Sequence, residues 1–149
     1  MTEDIRDELR EEWMLLQKQY EDFDQRALSL KALMTPLIGA GYAAGIAHTS
    51  KSIVVATIIV TACLWALETI WKTFQYCLTD RIKAIEEYFR SPERNLDFKP
   101  YQIYTSWGQV FDRDKHNWKL WCDRATQPFV LIPYAPMIVA GVLVMLALL

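Results

Sequence analysis

The amino-acid sequence predicts an all-α membrane protein: three transmembrane helices, the first two forming an antiparallel hairpin that extends into a cytoplasmic helical stalk. Three observations carry this. Residues 130–149 contain no charged side chain, and a helix of that length reaches about 30 Å, the thickness of a bilayer's hydrocarbon core. Two further apolar blocks, 32–50 and 52–71, stand upstream, the second interrupted by Glu68. Between those two lies only the short turn His48-Thr49-Ser50-Lys51. Irregular backbone is costly in lipid, so helices are the expected spanning form.

The N-terminal segment, 1–31, is read as an acidic cytoplasmic helix running into the membrane. Leu9, Trp13, Leu16, Tyr20, Phe23, Ala27 and Leu30 repeat at steps of four and three, a heptad seam without Gly or Pro. Residues 1–24 hold nine acids and three bases, a net of −6. A solvated acidic face explains that excess, and so does a docking surface for a cytoplasmic protein partner. The charged first 26 residues lack a signal-peptide pattern, so insertion is expected to use the internal spans.

The hairpin occupies 32–71. Small residues crowd its first arm, and Gly41 and Gly45 form a GxxxG that lets two helix backbones approach, within one chain or between chains. Thr35-Pro36 predicts a kink. Thr57 and Thr61 share a face of the second arm, where hydroxyls ordinarily bond back to their own backbone. A hairpin centred between residues 49 and 50 brings Lys31 and Glu68 to the same depth, near the cytoplasmic interface. Pairing relieves much of the cost of either charge near lipid. Glu68 then reads as a structural clasp with Lys31, as an i,i+4 partner of Lys72, or as a pore-lining or ion-coupling carboxylate.

Residues 72–90 are read as a cytoplasmic extension of the second span, with Phe74, Leu78, Ile82, Ile85 and Phe89 on one face and a stop at Ser91-Pro92. Residues 91–127 read as a cytoplasmic loop, around 91–95 and 99–100, followed by one or two short Trp-rich amphipathic helices. Trp107, Trp118, Lys119 and Trp121 have the composition of a helix at the headgroup level, with packing against the stalk as the competing placement. The third span covers 128–149. Pro128, Pro133 and Pro136 crowd its start, so either the helix spans or its regular part begins near Pro136.

Basic residues set the orientation. Five Lys and Arg precede the first span, ten lie between Lys72 and Gln127, and the hairpin turn has only Lys51. The positive-inside rule puts the N-terminus and the middle segment in the cytoplasm and the C-terminus outside, across an inner (plasma) membrane.

The net charge of −2 argues against nucleic-acid binding. Nucleotide-binding glycine loops, HExxH and CxxC are absent. Cys63, Cys77 and Cys122 lack paired spacing and are expected to be reduced thiols. His48 and His116 fall on opposite sides of the membrane in this topology, so a shared metal is not expected, and Asp112, Asp114 and His116 read as a charged turn. No enzyme, metal or cofactor is expected. The expected partners are the bilayer and further copies of the chain.

The stretch Tyr20-Glu21-Asp22-Phe23-Asp24-Gln25-Arg26 leads into a span. A short hairpin follows, and then Leu67-Glu68-Thr69-Ile70-Trp71-Lys72 and Arg81-Ile82-Lys83-Ala84-Ile85-Glu86. Over about residues 1–90 this layout resembles the SMODS- and SLOG-associating two-transmembrane effectors (SLATT) of bacterial defence. The C-terminal span departs from a simple two-span pattern. The resemblance implies an oligomeric, pore-forming antiviral effector that permeabilises the inner membrane when an infection-sensing partner triggers it. A non-catalytic anchor or adaptor, holding a soluble partner through its cytoplasmic helices, is the alternative.

Overall fold

A computed structural model describes residues 2–91 and 98–148. Among them every element is α-helical: α1 (Thr2–Ala47), α2 (Lys51–Tyr76), α3 (Thr79–Arg90), α4 (Ile103–Asp114), α5 (Trp118–Ala125) and α6 (Pro128–Ala147). Three helices are long and apolar enough to cross a membrane: α1, the helix beginning at Lys51, and α6. The loop expected at 92–95 lies outside the described residues.

α1 runs unbroken through Pro36. It ends because Thr49 adopts a left-handed conformation (φ 50°). Ser50 N–H then donates to Gly45 O at 2.9 Å and Thr49 N–H to Ile46 O at 3.1 Å, which satisfies carbonyls the helix end would orphan. The next helix starts at once, which makes the hairpin. α2 stops at Tyr76, and Cys77-Leu78 form a turn before α3. The continuous extension expected to residue 90 is therefore two helices. α6 begins at Pro128, where a missing N–H costs nothing, and continues through Pro133 and Pro136. A regular start delayed to Pro136 is not what the structure has.

The chain divides into two compact units. The first comprises Met1–Asp24 and Lys72–Trp118. Its core joins Leu9 and Leu16 of α1 to Leu78, Ile82 and Ile85, with Trp13, Tyr20, Phe23, Phe89, Ile103 and Trp107 packed around them. Both sequence seams thus face inward. Gln75 Nε2 donates to Tyr20 O at 2.7 Å, and Lys72 pairs with Asp24 and donates to Gln75 Oε1 at 2.6 Å. Lys72 thus has two partners in the first unit. α4 lies on this core: Trp107 stacks on Phe111 (5.2 Å) and meets Phe74 edge-on (5.6 Å).

The second unit comprises Gln25–Trp71 and Lys119–Leu149. Ile38, Tyr42 and Val54 form its core, with Met34, Ile58, Leu64, Met137, Val144 and Met145 against them. Around this narrow core Leu33, Leu37, Ile59, Ile132, Val139 and Leu143 are all exposed, an apolar surface that suits lipid as solvent.

Candidate functional site

The second unit holds a buried ion pair. Lys31 of α1 holds its Nζ 2.6 Å from Glu68 Oε1 of α2. Glu68 is 1% exposed. The depth symmetry of the hairpin has brought the two residues together.

The third helix completes the cluster. In a regular α-helix the carbonyl of Phe129 would accept from the N–H of residue 133, but residue 133 is Pro and has none. Lys31 Nζ donates to that carbonyl at 2.6 Å. Tyr134, one residue on and 2% exposed, brings its hydroxyl toward the Glu68 carboxylate. One ammonium thus ties α1 to α2 through charge and to α6 through a backbone oxygen.

The Lys31 ammonium balances the carboxylate, and the Tyr134 hydroxyl faces it. Removing one member of a buried pair strands the other and costs about 3–5 kcal/mol, whereas the intact pair contributes little net stability. The cluster is a latch: nearly neutral when closed, costly when half-emptied.

Small residues set how closely the helices around it pack. A Cβ at Gly41 would lie 2.5 Å from Thr57 Oγ1, and one at Gly45 2.5 Å from Val54 Cγ2. The GxxxG therefore serves the contact between α1 and α2 within the chain. A third glycine does the same for α6: a Cβ at Gly141 would meet Tyr42 Oη at 2.6 Å and Ile58 Cγ1 at 2.7 Å. Thr57, Thr61 and Thr69 donate to carbonyls four residues back, so their hydroxyls are spent on their own helix.

The expected headgroup residues separate. Trp118 is 68% exposed and Lys119 is exposed. Trp121 is half-buried. Trp107 has the packing that was the competing placement: it is half-buried against aromatic rings, and its Nε1 donates to Phe74 O at 3.1 Å. Ile103, Trp107 and Phe111 share one face of α4, and the first unit's core takes that face. Tyr104, on another face, is 85% exposed.

The first unit contains a buried pair that the sequence reading missed. Arg81 donates to both oxygens of Glu12, at 2.8 and 2.9 Å. It also donates to Lys99 O at 2.8 Å and lies 4.6 Å over the Phe98 ring. Tyr101 N–H donates to Glu12 Oε2 at 2.8 Å. The pair pins residues 98–101 to α1 and α3. A signal existed: Glu12 falls between Leu9 and Leu16 on the seam, and Arg81 shares a face with Leu78, Ile82 and Ile85. Asp112 pairs with Lys115 and Asp114 with Arg113, so the charged stretch closes on itself over the last turn of α4 and the turn at 115–116.

No family model, curated protein or solved structure matches the chain.

Proposed function

We propose that the chain is a small oligomeric inner-membrane effector that perturbs the bilayer, opening a pore when its spanning helices move against one another. The single observation behind this reading is the Lys31–Glu68 ion pair buried among three helices able to cross a membrane. Ionisable residues within spanning helices are expensive, and a buried one is a candidate for an ion pathway or switch. The apolar outer surface supports lipid or further copies as neighbours. The topology follows the basic residues, with the N-terminus and 72–127 cytoplasmic and the C-terminus outside. Antiviral defence rests on the resemblance alone.

The test is dye and ion release from liposomes holding the purified protein, with oligomer size measured in detergent beside it. Release from a defined oligomer, changed by Glu68→Gln, is the expected result. A monomer that stays tight under all conditions, with no loss of membrane potential on overexpression, refutes the reading. A reporter at Leu149 that proved cytoplasmic would overturn the topology.

One observation favours the adaptor reading. The first unit has a cleft of about 850 Å³ lined by Arg6, Asp7, Arg10, Trp13, Met14, Glu86 and Phe89, which combines charge with aromatic surface. Loss of a soluble partner from the membrane on deleting residues 1–24, without leak in any state, would decide for it.

A further inference from the structure

We infer that the cleft between α1 and α3 in the first unit docks an acidic-aromatic segment of a soluble protein, an aromatic ring flanked by carboxylates. The ring lies against Trp13 and Phe89, and the carboxylates take the guanidiniums of Arg6 and Arg10. The inference rests on the reading that a soluble protein binds the cytoplasmic helices. It holds whether that protein is cargo or the trigger of a pore.

Net charge points to the opposite partner. Nine acids and three bases in residues 1–24 leave −6, which suits a basic surface. The helix, however, sorts its charges by face. Residues 4, 8, 11 and 12 share one side of α1, the side on which Glu12 accepts from Tyr101 N–H at 2.8 Å. Residues 6, 7, 10, 13 and 14 share another, and all five line the cleft with Glu86 and Phe89 of α3. Two of the three bases of this acidic stretch therefore stand in the cleft.

Both arginines are exposed, and among the described residues neither has an ion pair. One helical turn apart, their guanidiniums can grip one carboxylate or two neighbouring ones. The two acids of the cleft leave them that task. Glu86 is turned to the Trp13 indole, whose Nε1 donates to Glu86 Oε1 at 3.2 Å. Asp7 is left to accept a backbone N–H, which a peptide carries beside its carboxylates. A phosphate brings up to two charges and would meet Asp7 and Glu86 in the same space, whereas a carboxylate brings one. Trp13 and Phe89 pack against the core of the unit, so an incoming ring adds to a surface already held in place. Aromatic rings beside arginines are also the composition of interface hot spots. At about 850 Å³ the cleft has the size of a small-ligand pocket, so the partner enters it with a few side chains.

The test selects phage-displayed random peptides on the full chain in lipid nanodiscs and reads the affinity of the winners by fluorescence anisotropy. The winners should carry an aromatic residue flanked by Asp or Glu. They should bind Arg6→Ala/Arg10→Ala about tenfold more weakly, and Lys18→Ala, exposed and outside the cleft, as well as the wild type. Selection on Arg6→Glu/Arg10→Glu should enrich basic peptides instead. Circular dichroism confirms that each variant is folded, since the replaced side chains are exposed. A basic consensus on the wild type, winners indifferent to the arginine changes, or no winners at all overturn the inference. A soluble partner released from the membrane by deleting residues 1–24 but retained by Arg6→Ala/Arg10→Ala refutes the cleft and keeps the adaptor. Acidic winners, beside a set of membrane-held proteins that the deletion leaves unchanged, refute the adaptor and keep the preference of the cleft.

Discussion

Gly39 and Gly141 both lie within spanning helices, and the same substitution should have opposite effects at the two. A Cβ at Gly39 meets nothing within 4 Å. Gly39→Ala therefore gains the helical preference of Ala over Gly, about 0.5–1 kcal/mol, without a steric term. At Gly141 the added carbon would sit 2.6 Å from Tyr42 Oη, 2.7 Å from Ile58 Cγ1 and 2.8 Å from Tyr42 Cε1. Those distances are about 1 Å inside ordinary van der Waals contact. The atoms belong to a rigid ring and a β-branched chain, neither with a free end to swing away. Overpacking of this kind costs about 1–3 kcal/mol, which more than offsets the propensity gain. The two variants should differ by about 2 kcal/mol, with Gly141→Ala below the wild type and Gly39→Ala at or above it. Unfolding in mixed micelles of rising denaturing-detergent fraction, followed by circular dichroism, measures this. Equal stability of the two variants would refute the close seating of α6 against α1 and α2.

Three further outcomes are expected. Arg81→Met alone should lose about 3–5 kcal/mol in thermal unfolding and speed cleavage after Lys99, while Glu12→Leu/Arg81→Met recovers most of the loss; a single variant as stable as the wild type would sink the clamp. Pro133→Ala restores an N–H to the Phe129 carbonyl, so it should help Lys31→Met more than it helps the wild type, with a coupling of about 0.5–1.5 kcal/mol in a double-mutant cycle; zero coupling contradicts the shared carbonyl. The Tyr101 phenol is pushed above its ordinary 10.0 by desolvation and by the carboxylates of Glu8, Glu11, Glu12 and Asp4. The folded chain thus holds this proton more tightly than the unfolded one, so stability is unaffected below pH 10 and falls as pH rises through the raised value. Glu8→Gln/Glu11→Gln should move the Tyr101 step of an ultraviolet phenolate titration down, with Tyr101→Phe identifying that step; an unmoved step would contradict the placement.

What could be read in advance was whatever depends on period and depth. The step of Leu9, Trp13, Leu16 and Tyr20 names a buried face because a helix repeats every 3.6 residues. The meeting of Lys31 and Glu68 follows because a hairpin equalises depth. The rest needed partners remote in sequence. Pro133 announces an orphaned carbonyl at Phe129, but nothing local says that a lysine 98 residues earlier answers it. Gly141 is one small residue among many until Tyr42 is known to lie opposite. For Trp107, composition tells that its ring seeks apolar surroundings, not whether lipid or protein supplies them. The break at Cys77-Leu78 has no Gly or Pro to mark it, and the apolar rhythm of Leu78, Ile82 and Ile85 runs on across it.

The proline-freed carbonyl at Phe129 also gives the molecule a direction in time. On the ribosome Lys31 and Glu68 are made well before Phe129, and the hairpin can pair them as soon as its second arm is out. α6 follows with a first turn in which residue 133 has no N–H to give, and the Phe129 carbonyl accepts from Lys31 of α1. A hairpin that has not paired offers no such donor, and a bare carbonyl is a poor passenger in hydrocarbon. A paired hairpin therefore offers the last helix one hydrogen bond more than an unpaired one does, and that favours its seating there.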